Sequence, residues 1–266
     1  MAEKPIVALM YDFDRTLSPR DMEEYAFIPG LGISAAEFWK ISNDTAKEYQ
    51  MDGILAYMLM MLELSKGKQL VTRSTLNAVG PHVELFPGLT DWFGRINAYA
   101  ESKGFICEHY SISSGIKEII EGTAIAGEFK EIYANSFIYD RNNVPFWPAT
   151  AVNYTSKTQF IYRINKGVLD ITEDRKLNEH MAEEDKRVSF SRMIYVGDGI
   201  TDVPCMKLTK ENGGHSVAIY NEDRSVAESL LEYHRVDYIA PADYRKGSQM
   251  ESIIFGIIDK LAERIS

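Results

Sequence analysis

Cysteine is scarce in this chain: Cys107 and Cys205 are the two among 266 residues. That is too few for a disulfide framework and suits a reducing compartment. Each falls within or beside an apolar, core-like run, which favours a buried thiol over a nucleophile. Basic charge is also short, with 29 Lys and Arg against 39 Asp and Glu and a formal net charge of -10. General nucleic-acid binding needs a basic face and is argued against; small anionic substrates stay open, because the local field governs a pocket. No apolar run is long enough to cross a bilayer. The richest, Ile54 to Leu62, is far too short, and its Met58, Met60 and Met61 read as helix core, with a lipid or peptide groove as the alternative. The N-terminal apolar stretch lacks the form of a secretory signal, so the expectation is a cytoplasmic protein that avoids membranes. The five histidines show no His-Glu-x-x-His spacing, and no Gly-x-x-x-x-Gly-Lys-Ser/Thr loop is present. There is no internal repeat and no low-complexity tract.

What is present is a set of apolar runs that end in polar residues. Pro5 to Tyr11 leads into Asp12-Phe13-Asp14-Arg15-Thr16-Leu17. A short continuous apolar run reads as a buried strand of a parallel sheet, and in open α/β sheets the ligand crevice lies outside the carboxyl ends of such strands. Asp12 and Asp14 thus fall where chemistry is expected, although a plain Asp-rich turn has the same spelling. A second run, Met193 to Val196, ends in Gly197-Asp198-Gly199-Ile200-Thr201-Asp202, whose glycines permit a tight turn and close approach of a ligand. A third, from Phe105, ends in Ser113-Ser114-Gly115 ahead of a helical pattern over Ile116 to Glu121. Hydroxyls and free N–H groups at a helix start make an anion site; Ser113 or Ser114 could equally be a helix cap. Lys157 follows in Asn153-Tyr-Thr-Ser-Lys157, where a solvated side chain is the alternative.

In this order the pieces resemble the haloacid dehalogenase-like hydrolase superfamily: DFDRTL at Asp12 to Leu17, ISSG at Ile112 to Gly115, Lys157, and GDGITD at Gly197 to Asp202. The likeness runs from Tyr11 to Asp202, and the first and last motifs are the specific ones. It implies an α/β fold, a Rossmann-like doubly wound parallel sheet core with a small α-helical cap domain. Arg15 departs from the small residue, usually glycine, found at its position in this family.

The segment 18–85 holds no nameable chemistry but several helical signals. Ser34-Ala-Ala-Glu37 fits a capping box ahead of Phe38 and Ile41, Gly53 to Leu64 reads as a second helix, and Ser74 to Val79 as part of another. So long an insert is expected to be a small helical domain, and the family resemblance implies a cap over the active site. Residues 1–17 and 86–266 then form the core, with Leu89 to Ser102 as a helix. Tyr133 to Tyr139 is strand-like, and with the turn at Asn142-Asn143 it predicts a β-hairpin delivering Lys157 to the site. The aromatic residues Phe137, Tyr139, Phe146, Trp147 and Tyr154 are expected to cover a hydrophobic edge. Asp170 to Arg187 reads as a strongly charged helix with a solvated face, and Ser248-Gln-Met-Glu251 opens an amphipathic helix to Ile265.

The resemblance implies phosphoryl transfer through a covalent intermediate. Asp12 would be the nucleophile that forms an aspartyl-phosphate. Asp14 would protonate the leaving oxygen and then activate water. Ser113, Ser114, Phe13 and Thr16 would lie on the phosphate side with Lys157, Thr16 orienting the loop. Asp12, Asp198 and Asp202, with the backbone carbonyl of Asp14, make a hard oxygen set suited to Mg²⁺; Asp202 could also act at a metal-bound water. Superfamily members that cleave carbon–halogen bonds lack the second aspartate, and the pumps need membrane helices, so a phosphatase of the phosphoserine phosphatase-like branch remains, acting on a small phosphorylated metabolite. A nucleotidase or phosphotransferase would need an aromatic wall, for which Trp39, Tyr49 or Tyr57 could serve, though core packing also explains them. A catalytically idle phosphate-binding module is the reading from another class.

Overall fold

The computed structural model describes residues 4–264. Among these, seven strands form one sheet in the order β4-β3-β2-β1-β5-β6-β7. The strands are β1 (Ile6–Tyr11), β2 (Ile106–Ile116), β3 (Phe129–Tyr139), β4 (Pro145–Thr150), β5 (Met193–Gly197), β6 (His215–Tyr220) and β7 (Tyr238–Pro241). All pairings are parallel except the β3–β4 hairpin. The core is therefore the expected doubly wound α/β sheet. Central β1 alternates strictly: Val7, Leu9 and Tyr11 enter one buried cluster, Ala8 and Met10 the other. Burial on both faces is why its sequence reads as an unbroken apolar run. The chain goes to β2 on one side of β1 and to β5 on the other, so the strand order reverses at β1, the switch point where such sheets bind ligands.

Between β1 and β2 come α1 (Phe27–Gly30), α2 (Ala35–Tyr49), α3 (Gly53–Ser65), α4 (Arg73–Asn77) and α5 (Leu89–Ser102). The Ser34 hydroxyl accepts the Glu37 N–H and starts α2. Asp52 accepts from Ile54 and Leu55 and starts α3. Phe38, Tyr57, Met58 and Met61 join the same buried cluster as Leu9 and Val196, so the insert is packed continuously with one face of the sheet. Farther on are α6 (Lys117–Glu121), α7 (Lys157–Lys166), α8 (Asp174–Asn178), α9 (Val203–Glu211), α10 (Ser225–Glu232) and α11 (Gln249–Glu263). Side chains of α5 and α11 cover the first face; α7, α9 and α10 cover the second. Ser248 caps α11 as its sequence indicates, while the far end anticipated at Ile265 lies outside the described residues.

Two local expectations need correction. The stretch 170–187 is not a long helix but five residues of α8 and a 3₁₀ turn at Glu183–Asp185. It has no apolar stripe to bury, and a helix of that length without packing is marginal in water. The aromatic residues of the hairpin do not act together either. Phe137 is buried, but Phe146 and Trp147 on edge strand β4 are 59% and 65% exposed.

One buried polar chain crosses the first face. Trp92 Nε1 donates to Tyr11 Oη at 3.0 Å, which lies 3.1 Å from His109 Nδ1, and His109 Nε2 lies 2.9 Å from Asn97 Oδ1. Because Asn97 Oδ1 only accepts, Nε2 carries the proton and Nδ1 accepts from Tyr11. The imidazole is thus satisfied as the neutral form, and burial, opposed by the Glu108 charge, pulls its pKa down to about 3.

Candidate active site

Asp12 is the first residue beyond β1, and its N–H donates to the Val196 carbonyl at 2.9 Å, which carries the strand pairing to the sheet's edge. Its Oδ1 accepts from Lys157 Nζ at 2.7 Å, and the same ammonium donates to Asp202 Oδ1 at 2.9 Å. Lys157 opens α7, just after the β3–β4 hairpin and the turn that Asn153 and Ser156 stabilise. Tyr195 Oη, from β5, also donates to Asp202 Oδ1 at 2.8 Å. Asp202 Oδ2 is buried without a hydrogen-bond partner and lies against Gly197, where a Cβ would approach it to 2.4 Å. Only glycine at 197 leaves room for this carboxylate. Asp12, Asp198 and Asp202 each offer an oxygen within 4.8 Å of the others.

Three carboxylates around one ammonium leave a net negative, poorly hydrated cluster. Burial and then the Asp202 charge push Asp12 up to about 8, against the pull of Lys157. Burial and Asp202 likewise push Asp198 up to about 7. Burial works against the Lys157 ammonium, yet Asp12 and Asp202 outweigh it and raise its pKa. A hard divalent cation fits this set. The donors are carboxylate oxygens, one of them is orphaned, and the charge needs offsetting.

Asp14 stands apart. Its Oδ1 accepts the Met22 N–H at 2.8 Å, and its carboxylate is not in the three-carboxylate cluster. Burial, then the charges of Glu23, Asp21 and Asp12, hold its carboxyl well above the usual range. A Cβ on Gly115 would meet Asp14 Oδ2 at 2.9 Å and the Met22 side chain closer still, so this glycine seats Asp14. Arg15 adopts φ 58°, the left-handed conformation that glycine takes without penalty, and its guanidinium forms two 3.1 Å bonds to Asp21.

The two serines separate. Both lie in the irregular end of β2, and the five-residue α6 that follows has Ile116 as its N-cap and no side-chain cap. Neither serine caps a helix. Ser113 Oγ accepts the Gly115 N–H at 2.9 Å and does not line the cavity, whereas Ser114 lines it and its Oγ is unpartnered. Phe13 and Thr16 are buried and do not line the cavity. The Phe13 carbonyl accepts from Thr16, Leu17 and Ser18, and the Thr16 carbonyl from Tyr244 Oη. These two residues shape the loop from within.

The cavity, about 780 Å³, lies between the strand ends and α2 and α3. Trp39 and Tyr57 form part of its wall, while Tyr49 is outside it and 68% exposed. Tyr154, assigned from sequence to a hydrophobic edge, lines the cavity instead. Several contacts with no sequence signal matter here. Tyr57 Oη donates to the Ser114 carbonyl at 2.7 Å, and fully buried Asn135 donates to both of those oxygens. Asn153 donates to Asp52 Oδ2 at 3.0 Å, joining the loop before Lys157 to the start of α3. Glu23, 1% exposed, lines the cavity with Oε1 unpartnered; burial pushes it up to about 8.

Residues 9–207 match the family model of the haloacid dehalogenase-like hydrolases. An uncharacterised protein of Borreliella burgdorferi is 25% identical over 92% of this chain and 94% of its own length. A hydrolase of the same family from Salmonella enterica serovar Typhi superposes with a TM-score of 0.57 at 17% identity, covering 96% of this chain and 72% of that one. A substrate-bound phosphoserine phosphatase superposes with a TM-score of 0.58 at 12% identity, over 95% and 98% of the two chains. At these identities the solved structures share the fold. Among the described residues no helix is long and apolar enough to cross a membrane.

Proposed function

Because the chain belongs to the haloacid dehalogenase-like hydrolase family, we propose that it is a phosphatase that cleaves a small phosphorylated metabolite in the cytoplasm through an aspartyl-phosphate on Asp12. The observation that carries this reading is the pairing of two differently partnered aspartates: Asp12 accepts from the buried Lys157 ammonium, while Asp14 accepts from the Met22 N–H and burial holds its carboxyl well above the usual range.

Lys157 holds Asp12 Oδ1 and leaves Oδ2 to attack phosphorus. As that bond forms, the bond from phosphorus to the ester oxygen breaks and Asp14 gives its proton to the departing oxygen, a contribution of roughly 10² to 10⁴ in rate. Asp14, now a carboxylate, takes a proton from the water that attacks the phosphoenzyme. Phosphate leaves, and both aspartates return to their starting states. Ser114 lines the cavity and its buried Oγ is unpartnered, so that a rotation of the hydroxyl toward the cavity lets it donate to a phosphate oxygen; Ser113 supports it through the Gly115 N–H. Asp12, Asp198 and Asp202 would hold a Mg²⁺, which would supply charge neutralisation between the carboxylate nucleophile and the phosphate dianion. Residues 18–85 act as the cap: α2 and α3 close the cavity and exclude water from the intermediate.

The test is release of aryl alcohol from an aryl phosphate by purified protein, with Mg²⁺ and then with chelator. Turnover with Mg²⁺ is expected, with loss on chelation and in Asp12→Asn, whose circular dichroism stays native. Full-rate turnover in Asp12→Asn would remove Asp12 as nucleophile.

A further inference from the structure

Strand β3 changes partners at Asn135. Up to this residue it pairs with β2, and from Ser136 onward with β4. On the β2 side the change is irregular. Tyr133 stands opposite Ile112 and Asn135 opposite Ile116, so two steps along β3 match four along β2. The surplus is the bulge Ser113-Ser114-Gly115, and a bulge disrupts the local ladder. On the other side β4 ends at Thr150, opposite Ser136, and Val152 lies past its end. An asparagine side chain carries two N–H donors and a carbonyl acceptor, enough to stand in for ladder bonds on both sides. Asn135 is fully buried and uses all of them.

Its Nδ2 donates to the Ser114 carbonyl and, at 2.6 Å, to Tyr57 Oη, which itself donates to that carbonyl at 2.7 Å. Its Oδ1 accepts the Val152 N–H at 2.5 Å. A backbone N–H can only donate, so the amide has one orientation. Each contact leads into the site. Ser114 lines the cavity. Val152 precedes Asn153, whose carbonyl accepts the Lys157 N–H at 3.0 Å and whose Oδ1 accepts the Ser156 N–H at 2.9 Å. That turn opens α7, from which Lys157 Nζ reaches Asp12. Tyr57 belongs to α3, and Asn153 Nδ2 ties the same turn to Asp52 at the start of that helix.

Resting on the phosphatase reading, we infer that Asn135 is a positioning residue whose one amide sets the Ser114 bulge, the Lys157 turn and α3 in a common register. The phosphate contact, the partner of the nucleophile and a wall of the cavity are then aligned together. Asn135 does not line the cavity and acts only through these groups. Its donors carry the role, and its shape does not. Aspartic acid has nearly the same shape, but its ionised form only accepts hydrogen bonds. A carboxylate at this position would face the Ser114 carbonyl oxygen with another oxygen, whereas the protonated acid restores one donor.

The experiment compares Asn135→Asp with wild type from pH 5 to 8, measuring kcat and KM for an aryl phosphate and the binding of inorganic phosphate by calorimetry. Tyr57 and the carboxyl groups that act on it, Glu23, Asp14 and Asp21, are present in both proteins, so the variant-to-wild-type ratio is read at each pH. At pH 8 kcat/KM should fall roughly ten- to hundredfold, with kcat lower and KM higher because the Lys157 and Ser114 branches are both disturbed. The ratio should recover toward pH 5, and phosphate affinity should follow it. A ratio that stays flat across the range overturns the proposal. Circular dichroism reports the fold at each pH. Should Asn135→Asp not fold, Asn135→Ser is uncharged and too short to span the three partners; it should lower kcat and raise KM together, and an unchanged kcat overturns the proposal. Phosphate binding that follows this pH pattern without turnover in either protein sinks the phosphatase reading and keeps Asn135 as the positioning residue of an anion site. Turnover in both proteins with a flat ratio does the reverse.

Discussion

Arg15 occupies a backbone conformation, φ 58°, that costs a non-glycine residue roughly 1–2 kcal/mol. Its ion pair with Asp21 is largely exposed and contributes about 1 kcal/mol at most. Replacing Arg15 with glycine or alanine removes the pair equally, so the difference between the two variants isolates the strain. Arg15→Gly should be more stable than Arg15→Ala by about 0.5–1 kcal/mol in urea denaturation, after the entropy that glycine adds to the unfolded chain. Equal stabilities would mean the loop relaxes away from φ > 0. Residues of this kind divide the site by how visible they are in sequence. Asp12, Asp14 and Asp198 announce themselves because each ends an apolar run or sits in a spaced motif, whereas Lys157 is marked only by its place in the order of the motifs. Glu23, Asn135 and Tyr195 do not, since their roles arise from contacts that the fold alone creates. Asn135 meets Tyr57 across 78 positions of sequence. Ser113 and Ser114 could not be told apart because the end of β2 is irregular, and alternation fails to assign faces where register slips.

At the scale of elements, local signals served where a cap and an apolar stripe coincide. Ser34 and Ser248 each accept an N–H group at the start of a helix with an amphipathic pattern, and Asp52 does so for α3, which is apolar on most of its surface. The stretch 170–187 carries charge without such a stripe and folds as short turns. One polar fastening of α3 to the sheet was not legible, because it is a single hydroxyl whose partners only the fold brings near. Tyr57 Oη bridges the Ser114 carbonyl and Asn135 Nδ2. Tyr57→Phe keeps the ring and removes the bridge, which should cost about 1–2 kcal/mol and raise KM for the phosphate ester, since Ser114 loses its support. Asp52 still caps α3, so helical content should not change. Unaltered denaturation and KM would show that Asn135 alone positions the Ser114 loop.

For the molecule as a whole, stability is set against the charge that the site concentrates. His109 is a control on which burial and the Glu108 charge act, not the carboxylate cluster. It is neutral in the fold, with its pKa lowered to about 3 by burial, against roughly 6.5 in an unfolded chain. The unfolded state therefore binds the extra proton between those values, and stability falls as pH drops below about 6.5, by up to about 1.4 kcal/mol per pH unit. Denaturation of wild type and His109→Gln between pH 7.5 and 5 should give curves that converge toward acid; parallel curves would place the protonation elsewhere. The carboxylate cluster acts oppositely. Asp12, Asp198 and Asp202 crowd within 4.8 Å around one ammonium, so without a cation their repulsion opposes folding. Asp198→Asn removes one charge at the most solvent-facing of the three positions. At pH 8 in chelator it should melt higher than wild type by a few degrees, since about 1 kcal/mol corresponds to roughly 2–4 °C in a chain of this size. Adding Mg²⁺ should raise the wild-type melting temperature, as a ligand that binds the folded state must, and should leave Asp198→Asn nearly unmoved. A variant that melts lower in chelator yet keeps the full Mg²⁺ shift would take Asp198 out of the cation site. The expected pattern has a plain physical source: Lys157 offsets only part of the crowded carboxylate charge, and on the proposed reading the protein gives up stability to keep the site open for a cation.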